Sequence, residues 1–336
     1  MLRELGTRLV VLVLTAAVVV AVVTGAPLLL QSDGGDDESL QNPEYDPDTI
    51  ATDPIDATGT VEPNPDPAAD ASGTILIDRG HSNRFSRADI EPLVDALVGA
   101  GYHVEFYTDG DLATHLEDAD AFLVIDPGTE YLPGDISDVR QFTGNGGRLV
   151  MVGEPDRTTV SATLVGTSVQ NQESRLTTLA SSYQMSIETQ YLYNQEHADG
   201  TFKHVLVRPT GAGNVENVDR AAMYTAAAVS ARDGTVLLRS APNTHKSGSD
   251  DVTGEYGVAV RRGNTLLLGD KTFMRGDRYR VADNEDLLAY VAEFMIEGDY
   301  QAPGGSSTGA DEDDGNNATA RLSRDRVITS DRQMSV

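Results

Sequence analysis

Residues 73–107, GTILIDRGHSNRFSRADIEPLVDALVGAGYHVEFY, read as one strand–loop–helix–strand unit, and that unit decides the fold class. Thr74–Ile77 is an apolar run of the length a buried strand needs. Ile90, Leu93, Val94, Leu97 and Val98 fall on one helical face. Pro92 belongs in a first turn, which sets the N-cap at Asp89 rather than Ser86. Gly101 ends the helix, and Tyr102–Tyr107 returns as a strand. A strand–helix–strand of this length predicts parallel strands joined by a right-handed crossover.

Working outward, the alternation continues. Leu112–Leu116 reads as a short helix and Ala121–Ile125 as a third strand, which turns at Asp126-Pro127-Gly128. Asp135 reads as the cap of a helix that buries Ile136, Val139 and Phe142. Arg148–Val152 is a fourth strand, and Arg175–Tyr183 a further helix. Beyond it the pattern changes to strands at His204–Arg208, Ala222–Val229 and Val236–Arg239. Tyr256–Val260 and Thr265–Gly269 flank Gly263-Asn264 as a hairpin. Asp283 caps a closing helix whose Leu287, Leu288, Val291, Phe294 and Met295 face inward. The pattern predicts an α/β three-layer sandwich, a mostly parallel sheet covered on both faces with a C-terminal antiparallel hairpin.

The flanks differ from this 73–300 block. After a cytoplasmic stub of residues 1–8, residues 9–30 form an apolar run preceded by Arg3 and Arg8. Its length suits a membrane span of about 20 residues. A cleaved signal peptide is the competing reading; Pro27 sits poorly for cleavage after Ala26, so an uncleaved anchor is preferred. The arginines then stay cytoplasmic and the rest of the chain lies outside the cell membrane, crossing it once. Gln31–Ser72 holds twelve acidic residues, six prolines and no basic ones, and reads as a solvated, disordered tether. Residues 301–336, rich in Gly, Ser, Asp and Asn, read as a disordered tail that carries an Asn317-Ala318-Thr319 triplet.

Charge and composition exclude several classes. Against 53 acidic residues stand 25 basic ones, only three of them lysine, for a net charge of −28. Such a surface repels nucleic-acid phosphates. It suits concentrated salt, where self-repulsion is screened over a few ångströms. The chain has no cysteine, so no disulfide, thiolate metal site or cysteine nucleophile is possible.

ILIDRGHSNRF with its following helix and GYHVEFY, then GGRLVMVGEP, LTTLASSYQMSI, VAVRRGNTLLLGD and ADNEDLLAYVAEFM, resemble the archaeal and bacterial family catalogued as domain of unknown function (DUF) 4350. The resemblance spans about residues 73–298. It implies a flavodoxin-like domain similar to class I glutamine amidotransferases, and kinship with auxiliary subunits of transport systems. It implies no reaction, because fold alone supplies none.

The chemistry is argued from residues. Glutamine amidotransferase activity needs a cysteine nucleophile and is excluded. No G-x-S-x-G elbow or phosphate-binding P-loop is present. The surviving constellation is Asp78, His81 and Asn83 after the first strand, joined by Asp126, Glu154 and Asp270 at other strand ends. In an open α/β sheet ligands bind beyond the carboxyl ends of the strands. Asp, His and Asn suit a hard cation or a polar ligand there; the same residues also suit a loop tied down by its own side chains. Lys271 is expected to pair with Asp270 or Asp78. Tyr191 and Tyr193 alternate like one face of a strand. No cofactor is called for. The expected function is a membrane-anchored, extracytoplasmic, non-catalytic ligand- or partner-binding accessory protein of an envelope or transport complex. The alternative is a cation-dependent hydrolase using the Asp78/His81 loop.

Overall fold

The computed structural model describes residues 60–63, 73–163, 166–213, 215, 217–298 and 300–301. The expected anchor at 9–30, most of the tether and nearly all of the tail lie outside them. Among the described residues no helix is long and apolar enough to cross a membrane.

The strands are β1 Thr74–Asp78, β2 His103–Tyr107, β3 Ala121–Ile125, β4 Arg148–Val152, β5 Arg157–Thr163, β6 Gly166–Gln172, β7 Met185–Tyr193, β8 His204–Pro209, β9 Ala221–Tyr224, β10 Ala227–Ala231, β11 Thr235–Ser240, β12 Thr244–Lys246, β13 Ser249–Gly254, β14 Gly257–Arg262 and β15 Thr265–Leu268. The helices are α1 Arg87–Gly99, α2 Leu112–Leu116, α3 Pro133–Gly144, α4 Thr177–Ser182 and α5 Asn284–Ile296. A nine-stranded sheet runs β2-β1-β3-β4-β15-β14-β11-β8-β9. Its first five strands are parallel neighbours, and the rest pair antiparallel. A four-stranded sheet, β10-β7-β12-β13, and the isolated β5–β6 hairpin complete the architecture.

Alternation along the strands builds two cores. Ile75, Ile77, Leu123, Ile125, Val150 and Leu268 face α1 and α5 on one side. Leu76, Phe122, Val124, Met151 and Leu267 face α2, α3, α4 and part of the smaller sheet on the other. Each fully buried Leu, Ile or Phe contributes about 1.5–3 kcal/mol relative to exposure, so a sheet covered on both sides is the arrangement that removes most apolar area from water.

Several expected boundaries move for identifiable reasons. Helix α1 starts at Arg87 with Ser86 as N-cap, and Asp89 sits in the first turn, where its carboxylate accepts from Ser86 N at 2.7 Å and Ser86 Oγ at 2.8 Å. Pro92 therefore lies in the second turn. In α3 likewise, Leu132 is the N-cap and Asp135 reaches back to Leu132 N at 3.0 Å. Both carboxylates satisfy an orphan N–H from inside the helix, the return half of a capping box. Ala96 takes the buried place expected of Val98, which is 56% exposed. At the far end of α1, Gly101 (φ +92°) closes a Schellman turn, with Gly101 N on Val98 O and Tyr102 N on Leu97 O, both 3.0 Å.

The stretch expected as a single strand at Ala222–Val229 is two strands. Thr225, at φ +67°, breaks it, so β9 ends in the large sheet and β10 begins in the small one. The β5–β6, β12 and β13 strands were not anticipated from the pattern. Of the tether, Thr60–Pro63 is described, and Val61 packs against the α1/α5 core rather than standing free in water.

Candidate functional site

The sheet order sets β1, β3, β4 and β15 side by side, and their carboxyl ends deliver Asp78, Asp126, Glu154 and Asp270 to one edge. All four are buried, between 0% and 3% exposed. A buried carboxylate must be paired or hydrogen-bonded, and the edge resolves into two linked clusters that do this.

The first is built on Asp78. Its carboxylate accepts from Gly80 N at 3.0 Å, from His81 Nδ1 at 3.0 Å, from Asn83 Nδ2 at 3.1 Å and from the Tyr131 hydroxyl. Asn83 also donates to Ile125 O at 3.0 Å, and its own oxygen accepts from His81 N at 3.2 Å. Tyr131 stacks on His81 with centroids 3.7 Å apart and planes 13° from parallel. His81 Nε2 points toward Asp135 Oδ2 at 3.8 Å. Burial pulls the His81 imidazolium pKa down, but the bond to Asp78 and the charges of Asp78 and Asp135 outweigh it, so the net shift is upward. Burial, then Asp78, push the Tyr131 hydroxyl well above its ordinary range, which keeps it a donor. The loop after β3 is drawn against this one: Gly128 N and Thr129 N both donate to His81 O, at 2.9 and 3.0 Å. A Cβ on Gly128 would meet Ser82 O at 2.7 Å, so only glycine permits that approach.

The second cluster centres on Asp126, Glu154 and Asp270. Arg84 grips Asp126 with both Nη2, at 2.5 Å, and Nε, at 3.2 Å. Lys271 Nζ adds a contact to Asp126 Oδ2 at 2.5 Å and a bond to Arg84 O. Lys271 thus pairs with Asp126, not with Asp270 or Asp78 as expected. Glu154 accepts from Lys271 N at 3.1 Å and from the Arg157 guanidinium. Burial and then the Asp270 charge push the Glu154 carboxyl up to about 8, against Arg157 and Lys271, which pull it down. Asp270 accepts from Tyr224 N at 2.7 Å and Thr272 N at 2.8 Å. Burial raises its pKa in turn, and those N–H bonds oppose the rise.

The six residues singled out in the sequence therefore share one edge. Lys271, expected here with another partner, completes the network together with Tyr131, Arg84 and Arg157, which were missed as members of it. Arg84 and Arg157 were legible in principle, since each follows a candidate acid closely; nothing in the sequence flags Tyr131. Chemically the network is self-neutralising: each carboxylate oxygen of Asp78, Asp126, Glu154 and Asp270 already accepts from a donor of the same chain. Among the described residues no group of three or more His, Asp and Glu side chains is arranged to hold a metal ion.

No protein-family model and no curated protein matches the chain. Among solved structures, the mmIFT52 N-terminal domain matches with a TM-score of 0.53 at 12% identity, over 68% of this chain and 100% of that one. Weaker matches are a thua-like protein from Bacteroides uniformis (TM-score 0.41, 14% identity, 70% of this chain and 95% of that one) and one from Parabacteroides merdae (TM-score 0.38, 12% identity, 67% and 89%). The first likeness is one of fold alone.

Proposed function

We propose that the chain is a membrane-anchored, extracytoplasmic accessory protein of the DUF 4350 type, working in concentrated salt. Its flavodoxin-like α/β domain captures a ligand or protein partner of an envelope or transport complex without turning it over. The observation that supports the non-catalytic reading is the closure of the carboxyl edge. A catalytic carboxylate needs free capacity aimed at a substrate, whereas here each carboxylate oxygen already accepts from an internal donor. The anchor rests on the apolar sequence of residues 9–30, and the reach needed for capture on the acidic tether that follows it.

The alternative, a cation-dependent hydrolase, requires Asp78 to give up Tyr131, His81 and Asn83 before it can ligate an ion. Each buried donor so orphaned costs about 1–3 kcal/mol.

Protease added to intact cells tests the topology. It is expected to remove the α/β domain and leave a short N-terminal membrane fragment; a protected domain overturns the anchored, external reading. The non-catalytic part is tested by assaying the detergent-purified full chain for metal-dependent ester, amide and phosphoester hydrolysis. Activity that is lost in both Asp78→Ala and His81→Ala overturns it, and no turnover above that of the variants is the expected result.

A further inference from the structure

The antiparallel end of the large sheet carries a second concentration of charge, of one sign. Arg239 of β11 is the direct cross-strand partner of Arg208 of β8. On the other side, β8 pairs β9 with Val207 opposite Ala221, and the same register sets Arg208 opposite Arg220 at the entry to β9. Three arginines thus stand in a row across three adjacent strands, on one face, with Cα atoms about 4.5–5.5 Å apart from strand to strand. The row stops at Gly257, which faces Arg239 across β14 and has no side chain, and at the sheet edge beyond β9. Like charges directly opposite one another destabilise a sheet.

In a chain of net charge −28 a carboxylate partner for each would be the simple remedy. None is supplied: among the described residues, none of the three guanidinium groups has an ion pair or a side-chain hydrogen bond. Arg84, Arg148, Arg157 and Arg175 all have such partners. Arg208 and Arg220 line two adjoining hollows. One, of about 160 Å³, is shared with His197, Leu206, Ala241 and Pro242. The other, of about 470 Å³, is shared with Asp219 and Asp283. Asp283 turns an oxygen to the backbone N–H groups of Asp219 and Arg220, both at 2.8 Å, rather than to a guanidinium.

We propose that Arg208, Arg220 and Arg239 form a binding site for a multivalent oxyanion, the phosphate or polycarboxylate part of a ligand, with its first charged group between Arg208 and Arg220 beside His197. Arginine presents a planar fork that bonds such groups in pairs. A multivalent anion suits the row better than a single charge because it can engage more than one guanidinium at once. Asp219 and Asp283 border the second hollow and bar the approach of a further anionic group from that side, which confines the ligand's charge to the row. This site lies on β8, β11 and the entry to β9; the row shares no side chain with the carboxyl-edge network, to which β9 lends only the Tyr224 N–H at its far end, and it stands whether or not that edge binds anything.

The test is calorimetry and thermal denaturation of the detergent-purified full chain with pyrophosphate and, separately, citrate, each against sodium chloride at matched ionic strength. The expected result is saturable binding and a raised midpoint with at least one of the two anions, weakened about tenfold or more in Arg208→Gln and in Arg220→Gln. Arg140→Gln, an exposed arginine elsewhere on the fold, leaves binding unchanged. Stronger binding of pyrophosphate assigns a phosphate ligand, and stronger binding of citrate a polycarboxylate. Effects equal to those of chloride, or a loss in Arg140→Gln as large as in the row variants, overturn the site. Because Arg208 is exposed, loss of folding in Arg208→Gln is not expected, and Arg208→Lys, which keeps charge but not the fork, provides an intermediate point.

Discussion

At the carboxyl edge of β1, β3, β4 and β15, four buried acids are met by donors of the same chain, among them the buried His81, the half-buried Arg84 and Lys271 and the exposed Arg157. At the antiparallel end, three arginines, on β8, on β11 and at the entry to β9, face the same way, and among the described residues none of them has an ion pair. The difference shows what burial enforces. A charge withdrawn from water is tolerated only when its hydrogen bonds are met. A charge left near water can wait for a partner from outside, since solvent and salt screen its neighbours meanwhile.

Removing the hub of the buried edge is the sharpest way to break this contrast. Asp78→Ala leaves Tyr131, His81 and Asn83 without their common acceptor, and is expected to cost about 3–5 kcal/mol by chemical denaturation. A loss below about 1 kcal/mol would mean the edge is open to water and the contrast is false.

His81→Ala is expected to cost less, about 1–3 kcal/mol, and in a pH-dependent way. The folded pKa of His81 is raised, so its contribution is fully present below the unfolded value near 6.5 and is lost as pH rises through the folded value. The stability gap between wild type and variant is therefore widest below about pH 6 and narrows toward alkaline pH. A gap that widens with rising pH would show that the Asp78 and Asp135 charges do not hold the proton on the ring.

The smallest effect is expected at the row. Arg208→Gln should change stability by no more than about 0.5 kcal/mol, typical of a surface substitution. The sign should be a slight gain at low salt that disappears in molar salt, because a like-charge contact is removed. A loss of more than about 1 kcal/mol in the absence of any added anion would place Arg208 among the structural side chains instead.

The parallel half of the sheet was legible because its strands are continuous apolar runs. Ala121–Ile125 and Arg148–Val152 appear with the expected boundaries. The starts of α2 and α5, with Asp283 as the α5 cap, also appear as expected, but those of α1 and α3 were not legible, because an acidic residue looks the same whether it caps from outside or reaches back from the first turn. Asp89 and Asp135 both do the latter, and the true cap of α3, Leu132, carries no polar atom to betray it. The antiparallel half hid more. Nothing in YTAA marks Thr225 as a left-handed residue, and Leu164-Val165, between β5 and β6, carries none of the usual turn chemistry. Asn284 is the first residue of α5, and its amide also bonds both Ala222 N, at 2.9 Å, and Ala222 O, at 3.1 Å, as a neighbouring strand would. At the candidate site the acids were visible one by one. Their shared carboxyl edge followed from the strand ends, but the pairing of Lys271 with Asp126 was not legible, since it depends on β15 inserting beside β4. The arginine row depends likewise on a register that no local pattern encodes.

The break at Thr225 has a bearing on how the domain comes apart. One uninterrupted stretch of chain, residues 221–231, is stitched into both sheets, and Ala227 N donates to Gly269 O at 2.7 Å where the layers meet. Gly269 lies so close that an added Cβ would come 2.1 Å from Ala227 O. Neither sheet can peel away without dragging this stretch out of the other. The layers are therefore not expected to act as separate foldons: amide protons in β9 and β10 should exchange through a shared global opening, and the domain should melt as a single unit.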